Sequence, residues 1–118
     1  MSNFAVTFET EGDISLLSLQ GELDAHTAEE FEAALLHVME QGSNRIVISG
    51  EHLSYISSAG LGVLMAHIDT IRTADGDLKV AQLQPAVAKV FDLLGFQLLF
   101  EIYESKEEAL RSFQSKGV

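Results

Sequence analysis

Cysteine and tryptophan are absent from this 118-residue chain, and proline occurs once. Without cysteine there is neither a disulfide framework nor a thiolate metal site. The single proline and the lack of any glycine- or serine-rich run leave no visible linker, so residues 1–118 are expected to form one domain. Cations are also scarce: 7 lysines and arginines stand against 18 carboxylates, for a formal charge of -11. Such a chain lacks the cations that phosphate binding needs, which argues against nucleic acid and against an anionic membrane surface. A partner with a basic patch would instead be steered towards it, although acidity also serves simply to keep a small protein soluble. No apolar run approaches bilayer length, and the N-terminal "MSNFAVTFETEGD" has no basic region leading into an apolar one. A soluble cytoplasmic protein is expected.

Catalytic signatures are missing too. There is no G-x-S-x-G elbow, P-loop, G-x-G-x-x-G or H-E-x-x-H. The glycines of "AGLG" follow a strand and open a helix, as phosphate-cradling loops do. No lysine lies beside them, however, and one residue separates Gly60 from Gly62, which argues against nucleotide binding. His26, His37, His52 and His67 are each isolated in sequence. A hydrolase built on Ser58, Asp24 and a histidine would need a spatial convergence that sequence does not show. No enzyme activity, cofactor or metal is expected.

What is present is a globular composition, 47% apolar and 21% charged. Phe4, Val6 and Phe8 alternate with polar residues, and Ile14, Leu16 and Leu19 follow across "TEGD", which predicts two strands joined by a turn. Ala28, Phe31, Ala34, Leu35, Val38 and Met39 make a helical stripe, with Thr27 and Glu30 spaced as a capping box and Gly42 placed to end it. "RIVIS", residues 45–49, is an apolar, β-branched run expected to be a central strand. Apolar residues at 61, 64, 65, 68 and 71 predict a second helix from about Leu61 to Ile71.

"LKVAQL" reads as another strand. Pro85 opens a third helix with an apolar face of Val87, Val90, Phe91 and Leu94, stopped by Gly95. "LLFEIY" reads as a last strand, and Ser105 with Glu108 forms a capping box for a helix carrying Ala109, Leu110 and Phe113. The order β-β-α-β-α-β-α-β-α is that of an α/β domain with a mixed, largely parallel sheet.

The loop "YISSAGLGVL" carries the remaining interest. Ser57 or Ser58 suits the N-cap of the second helix, where free N–H groups and the helix dipole also make an anion site. A phosphoryl group there would add about -1.5 to -2 charges without melting the helix, and would act on whatever docks over the helix start.

Taken together, "GELDAHTAEEFEAAL", "YISSAGLGVL" and "VFDLLGFQLLFEIYESKEEAL" resemble the STAS-domain anti-sigma factor antagonists, typified by the sporulation antagonist. The resemblance covers nearly the whole chain. It implies a small cytoplasmic STAS domain that binds an anti-sigma factor, itself a GHKL-type serine kinase, and so releases a sigma factor. Phosphorylation of a serine at the start of the second helix would end the interaction, and a serine phosphatase would restore it. ATP would belong to the partner kinase, and a monomer would suffice.

The family string Asp-Ser-Ser-Gly-Leu-Gly, aligned on Gly60, Leu61 and Gly62, puts Ser57 at the aspartate, Ser58 at the first serine and Ala59 at the second. Alanine cannot accept a phosphoryl group, so the expected acceptor is Ser58, with Ser57 as second choice. The partner face implied by the resemblance comprises Asp24, His26, Thr27, Ser57, Ser58, Gly60 and Leu61. The alternative is a STAS interaction module in a signalling or transport assembly that binds without phosphorylation.

Overall fold

The structure is a computed structural model and describes residues 3–115. Its elements are β1 (Ala5–Glu11), β2 (Ile14–Leu23), α1 (Ala28–Glu40), β3 (Arg45–Ile56), α2 (Ser58–Thr73), β4 (Asp77–Ala81), α3 (Pro85–Leu93), β5 (Ile102–Tyr103) and α4 (Lys106–Ser115), with a 3-10 turn at Phe96–Leu98. The nine main elements occur in the expected order. The five strands form one sheet in sequence order, β1-β2-β3-β4-β5. β1 runs antiparallel to β2 and every other neighbouring pair is parallel, so a hairpin feeds a series of right-sized helical crossovers.

Strand alternation divides the core between two faces. Leu17, Leu19, Ile46, Ile48, Leu78 and Val80 point into the larger cluster with Phe31 and Leu35 of α1, Leu61, Leu64 and Ile68 of α2, and Val87 and Phe91 of α3. Ile14, Leu16, Val47 and Ala81 point the other way, beneath Ala109, Leu110 and Phe113 of α4. Lys79 is fully buried. Its Nζ donates to Ser112 Oγ at 2.7 Å, pairs with Glu101 at 3.1 Å and lies 4.3 Å from the Phe113 ring centroid. A buried ammonium needs such partners, and here they come from α4 and from the approach to β5.

Several local expectations change. β3 continues past "RIVIS" to Ile56 because β2 pairs with it as far as Leu23 and Ile56, through two register shifts. α2 begins at Ser58 and ends at Thr73, beyond both expected limits, and Met65 faces outward instead of joining the stripe. "LLFEIY" is a strand only at Ile102–Tyr103; its leucines precede it in and beside the 3-10 turn. Leu94 is not on a buried face: it caps α3 at the point where the chain leaves the helix, and Gly95 (φ 74°) reverses the backbone.

Caps also differ. Ser105 and Glu108 do form a capping box: Glu108 N donates to Ser105 Oγ at 3.1 Å and Ser105 N to Glu108 Oε1 at 3.3 Å. The Thr27–Glu30 box does not form, since Thr27 makes no side-chain cap bond. At the other end of α1, Gly42 (φ 89°) completes a Schellman turn, its N–H donating to Met39 O and that of Ser43 to Val38 O.

Candidate functional site

The carboxyl ends of β2 and β3 lie side by side, paired through Leu23 and Ile56, and the Ser57 amide donates to Leu23 O at 2.9 Å. That bond joins two segments far apart in sequence, 22–27 and 56–61, into one corner. Asp24 organises the first. Its Oδ1 accepts from the amides of His26 at 2.9 Å and Thr27 at 3.2 Å, while its carbonyl accepts from the Ala28 amide at 2.9 Å. This is N-cap work, moved three residues upstream of Thr27.

The His26 amide is the main influence holding the Asp24 carboxyl below its usual value of 3.8, with the Thr27 amide and hydroxyl adding to it and partial desolvation opposing. Asp24 is therefore ionised at neutral pH. Thr27 is buried, and its hydroxyl donates to Glu22 O and accepts from the Asp24 amide, both at 2.9 Å. The turn is thus closed by its own polar groups, with Glu22, Ala25 and His26 exposed.

The second segment is built differently. Ser57 takes the extended conformation of an N-cap (φ -105°, ψ 174°), and its carbonyl accepts from the Leu61 amide at 3.1 Å. Its side chain makes no cap bond; Ser57 Oγ is buried and has no hydrogen-bond partner among the described residues. Ser58, the first helical residue, is exposed. α2 has no acidic residue in its first turn, so no carboxylate of the helix itself offsets the amides of residues 58–60, which precede the helical ladder.

Gly60 makes the corner close-packed. A Cβ there would lie 2.6 Å from Leu23 Cγ and 3.1 Å from Ile56 Cγ1. Leu61 is core. Gly60 and Leu61 therefore hold the helix start against the sheet and do not form its outer surface. Gly62 has open space where a Cβ would be, and with Ser58 and Met65 it lies on the outward face of α2. Sequence reasoning left Gly62 out and put Met65 inside; the i, i+4, i+7 spacing from Ser58 was the available signal.

The histidines do not complete a catalytic group. His67 Nε2 meets Glu32 Oε2 at 2.7 Å, bridging α1 and α2, His37 meets Gln41 at 3.3 Å, and His52 lies 3.6 Å from Glu51. No hydrogen bond joins Ser58 to Asp24 or to an imidazole among the described residues, and no cluster of metal-ligating side chains occurs there.

A mixed sheet carries a glycine-bearing helix start beside a capped acidic turn, and the sequence profile of the STAS domain matches residues 5–109. The chain belongs to the STAS domain family. Among STAS relatives, BtrV of Bordetella bronchiseptica, named as a candidate anti-sigma factor antagonist, is 33% identical over 110 residues, covering 93% of this chain and 95% of that protein. An anti-sigma factor antagonist from Mycobacterium paratuberculosis has a crystal structure that superposes with a TM-score of 0.86 at 25% identity, covering 95% of this chain and 97% of the other. The antagonist SpoIIAA is also similar at 25% identity, with TM-scores of 0.73 to its unphosphorylated form, over 93% of this chain and 98% of the other, and 0.71 to its phosphorylated form, over 92% and 99%. No helix among the described residues is long and apolar enough to cross a membrane.

Proposed function

We propose that this STAS protein is an anti-sigma factor antagonist whose partner docks at the corner of Asp24–Thr27 and Ser57–Leu61, and that phosphorylation of Ser58 ends the interaction. The observation that carries the site is the contrast between neighbouring hydroxyls: Ser58 is exposed at the uncapped start of α2, whereas Ser57 Oγ is buried. A kinase needs the first kind. The names of the relatives support the partner class, and a related antagonist exists in a phosphorylated form.

The partner is an anti-sigma factor that is also a GHKL-type serine kinase and holds the ATP. Its γ-phosphoryl group passes to Ser58 Oγ, ADP leaves, and a serine phosphatase later hydrolyses the ester. The reaction requires the cytoplasm, where ATP is available. The new charge of about -1.5 to -2 meets the amides of the first helical turn locally, so the helix persists while the docked partner is repelled or obstructed. In this reading His26, Ser58 and the half-buried Asp24 touch the partner. Thr27, Ser57, Gly60 and Leu61 fix the shape of the corner.

Incubation with the cognate kinase and ATP, followed by peptide mapping, tests the reading. One phosphoryl group is expected on the peptide spanning Ser57 and Ser58, absent in Ser58→Ala and retained in Ser57→Ala. Equal modification of Ser58→Ala would remove the site assignment. Partner binding that ATP leaves unchanged would favour a constitutive interaction module.

A further inference from the structure

Four leucines within seven residues have no place in either core. Leu93 and Leu94 at the end of α3 are 75% and 55% exposed, and Leu98 and Leu99, beyond the Gly95 turn, are 84% and 41% exposed. Elsewhere the large exposed apolar side chains, Phe8, Tyr55 and Met65, are scattered along the chain. Exposed apolar residues gathered in one place mark an interaction surface; isolated ones do not.

The leucines stand on a firm base. Phe91 and Phe100 are buried, and the Phe96 ring contacts both at centroid distances of 5.9 Å. Arg72, from the end of α2, anchors the same segment: its Nη2 donates to Leu99 O at 2.6 Å while its Nε bonds Asp77 at 3.0 Å. That cation is therefore already engaged. From Val90 to Glu101 the chain has two carboxylates, Asp92 and Glu101, and no cation; Glu101 is paired with the buried Lys79, and the exposed Lys89 lies one turn before Leu93 on α3. The last turn of α3 has no basic residue either, so its negative dipole end is uncompensated beside the leucines.

We infer that this surface docks a second protein, through a segment whose apolar face is rimmed by lysine or arginine. The leucines supply desolvation, and the partner's cations meet Asp92 and the carbonyl end of α3, Glu101 being paired with the buried Lys79. A second copy of this chain fits badly. Two-fold pairing would set α3 ends and carboxylates against their own likenesses, between molecules each carrying -11.

The surface is remote from the switch corner. Arg72 is fourteen residues beyond Ser58 on α2, about 21 Å at 1.5 Å per residue, well past the Debye length of about 8 Å at physiological ionic strength. Docking here is independent of phosphorylation at Ser58 and stands apart from the proposal for the corner. The domain could thus hold one partner constantly while exchanging another.

The test uses the full 15N-labelled chain and a synthetic 18-residue peptide with leucine on one helical face and lysine on the other, read by amide shifts. Saturable shifts are expected at residues 92–101. Leu93→Glu and Leu98→Glu, both at highly exposed positions, should each weaken binding about tenfold or more, and Ser58→Asp should not. The inference is overturned if a lysine–serine peptide binds equally well, or if the shifts fall on the acidic residues of β1 and α1. A concentration-dependent dimer in sedimentation that Leu98→Glu abolishes would likewise replace it, with self-association.

Discussion

The two ends of α2 are finished in opposite ways. At its C-terminus the Ala74 amide reaches Ile71 O and Thr70 O, Asp75 N reaches Arg72 O, and Gly76 N reaches Ile71 O. Asn44 Nδ2 then donates to Ala74 O at 2.7 Å, and Arg72 supplies the cation that this end of the dipole favours. At its N-terminus there is no side-chain cap, no acidic residue, and a buried serine hydroxyl without a partner. One helix therefore spends its bonding on stability at one end and keeps it available at the other. Bonds left unmade at a well-positioned helix start are what a switch can use.

The comparison breaks most severely at Gly76. A Cβ there would lie 1.8 Å from Asn44 O and 2.7 Å from the same carbonyl carbon. Asn44 O also accepts from the Asp77 amide at 2.9 Å, so the obstacle is bonded backbone and not a side chain that can swing away. Gly76→Ala is expected to cost about 3 kcal/mol or more, seen as a lower urea midpoint at unchanged slope. A loss below about 1 kcal/mol would show that this end is less tightly built than described.

Arg72→Ala tests the same end more gently. It removes the ion pair with Asp77, the bond to Leu99 O and a cation–π contact with Phe100. Because Arg72 is partly exposed, screening reduces the ion-pair share, and the expected loss is about 1–2 kcal/mol, mostly from the charge-assisted bond to the carbonyl. Raising salt should therefore narrow the gap between wild type and variant only slightly.

How much of this could be read from sequence depended on the range of the interactions. The order of nine elements, the central place of the 45–49 run and the Ser105–Glu108 box follow from periodicity and three-residue spacing, both local. Thr27 and Glu30 have the same spacing but no box, because Asp24 starts the helical bonding one turn earlier and draws Thr27 to Glu22 O. The burial of Lys79 depends on Ser112, 33 residues away. For Leu94, periodicity continued past the residue at which α3 ends.

At the corner, residue types and loop position were readable, including the serines and Asp24. Which hydroxyl faces inward was not, because it depends on how Gly60 lets α2 settle against Leu23 and Ile56.

The smallest expected effect is the most discriminating. Ser57 and Ser105 are both serines preceding a helix, yet Ser105 Oγ accepts from Glu108 N and Ser57 Oγ has no partner. Ser105→Ala should lose about 1 kcal/mol, the usual worth of an N-cap hydroxyl. Ser57→Ala removes a buried, unpaired polar atom, so its stability should equal the wild type or exceed it by up to about 1 kcal/mol. Side-by-side urea denaturation of the two variants compares the same chemical deletion in two settings. Equal losses would mean that Ser57 caps α2 in solution, and the helix start would no longer be the unfinished end. Opposite signs would show that residue 57 is under no stabilising demand for its hydroxyl, leaving the first-turn amides free to receive an anion at Ser58.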